Sequence, residues 1–209
     1  MRFTRFLAAL LVAAPIAAAS AQSAPAQSAP ALARGANTTY AIDPVHSEMS
    51  FRVRHLVGRV AGTFTDWSGT VVLDSAGFTS GTGAVNVVVK TNSIHTLQEQ
   101  RDAHLRTPDF FASDSFPEMT YKSNRVVRTG DAISVHGTLT LRGKTKPVIL
   151  TGKFRGRTMD PWGKERISFE AGTTINRQDF GVSFNQFVEG ASVIGDDVEI
   201  AIVIEAVRQ

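Results

Sequence analysis

From Tyr40 onward, apolar and polar residues alternate with a period of two. Met49, Phe51, Val53 and His55 share one face, while Ser50, Arg52 and Arg54 share the other. That alternation marks a strand buried on one side only. The pattern recurs along the chain. Residues 59–74 form a Thr- and Val-rich extended run, expected to bend at Gly62 or Gly69. Val85, Val87 and Val89 face away from Asn86, and Met119 and Tyr121 away from Thr120 and Lys122. Ile133, Val135, Gly137, Leu139 and Leu141 alternate against Ser134, His136, Thr138, Thr140 and Arg142. Val148, Leu150, Gly152 and Phe154 form the next inner face, then Ile167, Phe169, Ala171, Thr173 and Ile175. The last strand carries Val198, Ile200, Ile202 and Ile204 inside, Glu199 and Glu205 outside, with Asp196-Asp197 read as the turn before it.

These eight segments are joined mostly by short polar turns such as Thr129-Gly130-Asp131 and Arg142-Gly143-Lys144. A parallel sheet would show continuous apolar runs separated by helices. The expected fold is therefore all-β, an eight-stranded antiparallel barrel or a two-sheet sandwich. The barrel is preferred because several strands are long and all of them imply one shared interior. One segment breaks the alternation. Thr96-Leu97-Gln98-Glu99 reads as a capping box with Thr96 as N-cap, followed by a short helix over residues 100–105 that stops before Thr107-Pro108. This helix lies between strands 3 and 4, where it and Phe110-Phe111 could line one mouth of a barrel.

The N-terminus has a different character. A basic start with Arg2 and Arg5, an Ala-rich apolar stretch and Ala19-Ser20-Ala21 read as a cleaved secretory signal over residues 1–21. The apolar stretch is too short for a comfortable span, which needs roughly 20 residues. Residues 22–38, with the tandem AQSAP, read as a disordered leader, and residues 39–209 as one barrel domain. The expected location is the periplasm. Loss of Arg2 and Arg5 lowers the formal charge of +3, so a nucleic-acid partner loses its main support. No later stretch suggests stable membrane insertion, and a homodimer stays open. With no cysteine, thiol catalysis and Cys-type metal sites are excluded.

Candidate chemistry is sparse. His95 and His104 match no metal-ligand spacing, and no metal site is expected. No nucleophile elbow and no phosphate-binding glycine loop appears. The expectation is no catalytic residue and no enzyme. His55 ends an apolar face and reads as a satisfied core histidine. Arg101-Asp102 and Arg177 read first as local ion pairs or loop clamps, with Arg177 also able to reach a ligand head group at a barrel mouth. The inner face holds the remaining signal: Phe51, Val53, Phe64, Tyr121, Ile133, Val135 and Leu139 among its bulky members, with small Gly83, Gly137, Gly152 and Ala171 leaving room. A barrel of this size is either filled by its own side chains or holds one small ligand. The physics allows an apolar ligand without demanding one.

The order of motifs resembles a known family. Tyr40-x-Ile42-Asp43-Pro44-x-His46-Ser47 precedes Phe51-x-Val53-x-His55 and Gly62-x-Phe64. Ser93-Ile94-x-Thr96 and Arg101-Asp102-x-His104-Leu105 lead to Asp109-Phe110-Phe111, then Phe116-Pro117 and Gly137-x-Leu139-Thr140-x-Arg142-Gly143. Asn176-Arg177-x-Asp179-Phe180-Gly181 and Gly195-Asp196-x-Val198 complete the series. This is similar to the YceI-like, polyisoprenoid-binding periplasmic proteins. The resemblance implies a lipocalin-like barrel around a long apolar pocket. It implies a polyisoprenoid or fatty-acid-like lipid as ligand, no other cofactor and no catalysis. It places Phe51, Val53, His55, Phe64, Phe110 and Phe111 on the pocket. Tyr121, Ile133, Val135, Gly137, Leu139 and Arg177 join them from the alternation alone. Two other functions stay open: an enzyme acting on a lipid through His55 or Arg177, and a ligand-free stress or interaction protein.

Overall fold

Thirteen strands and one α-helix follow from the alternation in the computed structural model, which describes residues 37–73, 83–188 and 190–209. The expected signal segment and the leader up to residue 36 lie outside the described residues. The strands are β1 (Thr38–Ile42), β2 (Glu48–His55), β3 (Gly58–Phe64), β4 (Trp67–Leu73), β5 (Ala84–Lys90) and β6 (Ile94–His95). Helix α1 (Glu99–Arg106) follows, then β7 (Glu118–Thr129), β8 (Ala132–Leu141), β9 (Lys144–Met159) and β10 (Glu165–Asn176). A small hairpin, β11 (Phe187–Val188) and β12 (Ala191–Ser192), precedes β13 (Ile194–Arg208). Short 3-10 turns occupy Thr91–Ser93 and Arg177–Phe180. Thr38, assigned above to the leader, already pairs with Leu73 as the first residue of β1.

Strands β1, β4, β5, β7, β8, β9, β10 and β13 follow one another as antiparallel neighbours, and β1 pairs back onto β13. The result is a closed eight-stranded barrel. Closure removes the exposed edges that an open sheet of this size would carry. β13 is long enough to pair with β1 through Ala206–Arg208 and with β2 through Ile194–Val203. Thus β1 and β2 are two halves of one broken wall strand. β3 and β4 are likewise broken, at Thr65-Asp66, not bent at Gly62 or Gly69 as the glycines suggested.

The predicted faces hold. Opposite β13, Val198 meets Val53 and Ile175, Ile200 meets Phe51 and Thr173, and Ile202 meets Met49 and Ala171. The outer set behaves accordingly: Arg52, Arg54 and Glu199 are exposed, and Thr140 and Glu205 are half-buried. Two details differ. Asp196 and Asp197 are not a turn; they sit inside β13, in the register shift between Ile194 and Val198. The helix N-cap is Gln98, whose side chain accepts the Arg101 N–H. Thr96 is buried instead, because its N–H donates to the Asp102 carboxylate (2.9 Å) and its hydroxyl donates to the same oxygen.

The two ends of the barrel are unlike. The end carrying the β7–β8 turn and the β9–β10 hairpin is plugged by Tyr40, Leu73, Ile167 and Ala206, none more than 4% exposed. There Arg166 donates to Asp43 (2.8 Å), Glu205 (2.6 Å) and Asp160 (3.0 Å). His46 and Arg166 hold the Asp43 carboxyl down at about 2, against an ordinary 3.8. A depressed carboxyl favours folding while it is ionised. Its contribution should be complete above pH 4 and fade as pH falls toward 2. Acid unfolding of Asp43→Asn, followed by circular dichroism, should lack that part of the pH dependence.

Candidate ligand cavity

The opposite end carries α1, the β2–β3 and β8–β9 hairpins and the 3-10 turn Arg177–Phe180. Between it and the plug the barrel encloses a cavity of about 220 Å³. One enclosed water needs roughly 10–15 Å³, so the interior is far from filled by its own side chains. Every strand of the wall contributes: Met49, Phe51 and Val53 from β2, Val85, Val87 and Val89 from β5, Leu139 and Leu141 from β8, and Ile200, Ile202 and Ile204 from β13. The polar side chains on the lining are Ser50, Thr120, Tyr121, Thr173 and Arg177. No histidine and no carboxylate lines it among the described residues.

The polar ends of the two largest of these are tied into the wall. The Tyr121 hydroxyl donates to the Val135 carbonyl (2.9 Å), with the Val148 carbonyl at 3.2 Å as a second acceptor. Burial pushes its pKa up to about 12. Only the ring is left to face the cavity. Arg177 is 5% exposed. Its guanidinium donates to the carbonyls of Gly195 (2.9 Å), Val182 (2.6 Å) and Phe184 (2.9 Å), and to the Asp196 carboxylate (3.0 Å). Burial pushes the Arg177 pKa below its ordinary value, and Asp196 opposes that shift. The donors are spent on the segment that follows the 3-10 turn, so the loop-clamp reading applies and the alternative contact with a ligand head group does not. Arg177 is a clamp that presents the apolar part of its chain to the cavity.

Other arginines do similar work on irregular backbone. Arg101 donates to the Thr96 hydroxyl (2.7 Å) and carbonyl (2.6 Å), and Arg106 to the carbonyls of Asn92 (2.8 Å) and Ile94 (3.2 Å). Arg142 donates to the carbonyls of Pro108 (3.0 Å) and Phe110. These bonds satisfy carbonyls that no strand partner reaches. They fix Leu105, Phe110 and Phe111 over the cavity. Phe111 stands edge-on to Phe64 with ring centroids 5.6 Å apart, and Phe64 lies 5.9 Å from Phe51.

Ten of the twelve expected ligand residues line the cavity: Phe51, Val53, Phe64, Phe110, Phe111, Tyr121, Ile133, Val135, Leu139 and Arg177. Two do not. His55 is exposed: it is the last residue of β2, paired with Gly58 and Ile194 at the end of the wall, and does not line the cavity. Gly137 faces inward, but a Cβ there would come within 2.7 Å of the Tyr121 ring and 2.5 Å of the Lys122 carbonyl. It makes room for Tyr121, not for a ligand. Gly152 is similar: a Cβ would meet the Glu170 carbonyl at 1.8 Å, so that glycine serves close strand approach. Val182, Leu105 and Ile194 line the cavity without having been expected. Leu105 had a signal, as the large apolar member of a mostly polar helix; Val182 sits in irregular backbone and had none.

Asp43, His46 and Glu205 bring ligand-type atoms within 4.8 Å of one another at the plugged end. The Arg166 guanidinium already bridges both carboxylates, so a cation of the protein's own fills that charge.

A sequence model of the YceI-like domain matches residues 40–206. This chain belongs to the YceI-like family. Protein YceI of Salmonella arizonae is 37% identical over 165 residues, covering 78% of this chain and 83% of its own. Among solved structures, Burkholderia cenocepacia BcnA superposes with a TM-score of 0.69 at 20% identity, covering 78% of this chain and 98% of its own. A polyisoprenoid binding domain from Saccharophagus degradans gives a TM-score of 0.61 at 17% identity, covering 81% of this chain and 98% of its own. At those identities the two structures speak for the shared barrel. The family accounts for the motif order, and the contacts above give several motifs a physical reason. Arg101-Asp102, Arg142-Gly143 and Asn176-Arg177 hold irregular backbone at one end of a YceI-like barrel.

Proposed function

We propose that this YceI-like protein binds one long-chain apolar amphiphile, a polyisoprenoid or similar lipid, inside its barrel and carries it without chemical change. The observation that carries this reading is the unfilled cavity, whose lining is apolar and whose Tyr121 hydroxyl and Arg177 guanidinium are already bonded to protein. Such a space offers a hydrocarbon tail burial and offers a polar molecule few partners. The S. degradans relative, a polyisoprenoid binding domain with the same fold, supports the ligand class. A lipid-modifying reaction needs an acid, base or nucleophile at the reacting atoms. The lining offers no imidazole or carboxylate, and His55 lies outside it.

Organic extraction of the purified protein followed by mass spectrometry should release one prenyl or fatty-chain species in near-stoichiometric amount. A protein that yields no such species and binds none added in excess overturns the reading. The N-terminal sequence supports a periplasmic workplace, with no resident cofactor beyond the lipid. Exported protein should then begin near Gln22, and an intact Met1 in the extracytoplasmic fraction counts against it.

A further inference from the structure

Half of the strongly exposed large apolar side chains among the described residues gather at the helical end of the barrel: Leu56, Val57, Leu97, Phe187 and Val188. None of them lines the cavity. Leu56 and Val57 form the two-residue turn between β2 and β3, since His55 pairs with Gly58. Asn-Gly is the favoured pair for such a turn. Here Leu56 adopts φ +49°, a left-handed conformation uncommon outside glycine and asparagine, and Val57 is 107% exposed. Leu97 repeats the combination, with φ +62° and 88% exposure. Local backbone preference and solvent both disfavour these residues at these positions. Strain retained in this way concentrates at functional sites.

The tips are tied together. Leu56 N–H donates to the Val193 carbonyl (2.8 Å), and Arg54 donates to the carbonyls of Leu56 (3.2 Å) and Ser192 (3.1 Å). Ser192 pairs with Phe187, so the β2–β3 turn and the β11–β12 hairpin form one apolar edge. Arg54 is exposed and takes part in no ion pair among the described residues, so although two of its guanidinium nitrogens are bonded to carbonyls it keeps a positive charge beside the edge. The edge lies at the same end of the barrel as the lining residues Val53, Leu105, Phe111 and Ile194, which are half-buried and so reach solvent.

We propose that this edge docks on the surface of a phospholipid bilayer, seating the helical end of the barrel where an apolar cargo can pass between bilayer and cavity. The proposal rests on the cavity reading for its cargo, because a long apolar chain resides in bilayers and not free in water. Apolar side chains at protruding tips, flanked by a cation, suit insertion to headgroup depth.

The test is flotation of the protein with vesicles of phosphatidylcholine and phosphatidylglycerol, alongside farnesol binding in vesicle-free solution. Wild-type protein should float. Leu56→Asn with Val57→Gly installs the residues the turn prefers, so the melting temperature should hold or rise. Vesicle binding should fall about tenfold or more, given the apolar area removed. Farnesol affinity should stay at the wild-type value. Phe187→Ser should weaken flotation independently. Wild-type protein that binds farnesol but does not float overturns docking and leaves the cavity reading intact. Floating protein that binds no farnesol sustains docking and removes the cargo. A folded double variant that floats like wild type, or one that loses farnesol, overturns the proposal. So does sedimentation showing a dimer that the double variant disperses while vesicles go unbound, since the edge would then belong to a second copy of this chain.

Discussion

Lengthening a prenyl ligand by one five-carbon unit should tighten its binding by about thirtyfold, until the cavity is full. The five carbons contribute on the order of 4 kcal/mol when taken from water into an apolar wall. Ordering the added unit offsets about half of that, leaving roughly 2 kcal/mol net. The wall supplies this gain because its contacts are predominantly aliphatic and aromatic, from Ile42 and Val71 near the plug to Phe111 near α1. Exchanging one neutral polar head group for another should change affinity less than removing one prenyl unit does. The two largest polar side chains are not aimed at the head, for Tyr121 and Arg177 are committed to backbone carbonyls, and only the small hydroxyls of Ser50, Thr120 and Thr173 remain on the lining. Calorimetric titration with alcohols of increasing prenyl length checks both statements. Affinity independent of tail length, or governed by the head group, would show that the cavity is not the binding site.

Replacing Arg177 by alanine should destabilise the protein by about 3 kcal/mol, because three backbone carbonyls lose their donor and each such loss costs roughly 1–3 kcal/mol when water cannot fully replace it. The carbonyls of Gly195, Val182 and Phe184 belong to the segment that brings Val182 and Ile194 to the cavity. Arg177→Lys should recover only part of the loss, since an ammonium keeps the charge but cannot reproduce the planar fork of donors. Urea unfolding measures the stability. The alanine variant should lose affinity by the same factor for ligands with different head groups, as a structural clamp requires. An Arg177→Ala protein as stable as wild type, yet unable to bind one head group alone, would return the guanidinium to the ligand and refute the clamp.

An inward-facing glycine on a wall strand is open space only where no neighbouring side chain fills it, and elsewhere a bulky residue placed there overpacks the wall. Gly137 illustrates the difference. Its position on an inner face suggested space for a ligand, yet the space is taken by the Tyr121 ring from the neighbouring strand. A leucine there would strike Tyr121 and the Lys122 backbone, so it would disturb the barrel rather than narrow the cavity.

Much of this molecule is decided locally. The side-chain period of a strand is two, so the alternation from Met49 to Ile204 determined which face of each wall strand turns inward, and with it most of the lining. Phe51, Val53, Ile133, Val135 and Leu139 were legible for that reason. The short helix was legible because its segment abandons that period. The breaks at Asp43–Ser47 and Thr65-Asp66 and the exposure of His55 were not, since each depends on where the distant wall strands begin and end, nor was the displaced N-cap, because the Asp102 carboxylate takes both Thr96 donors. Gly137 looks like a void until the register puts Tyr121 beside it, and Arg177 reads as a local clamp or a head-group contact until residues 182–195 fold around it. Periodicity lies within a few residues of one chain segment, whereas close packing and the pairing of buried polar groups are settled between segments far apart in sequence. The faces of the strands were therefore written in the sequence, and only the closed barrel decided whether its interior is empty, which end opens and which polar groups remain unspent.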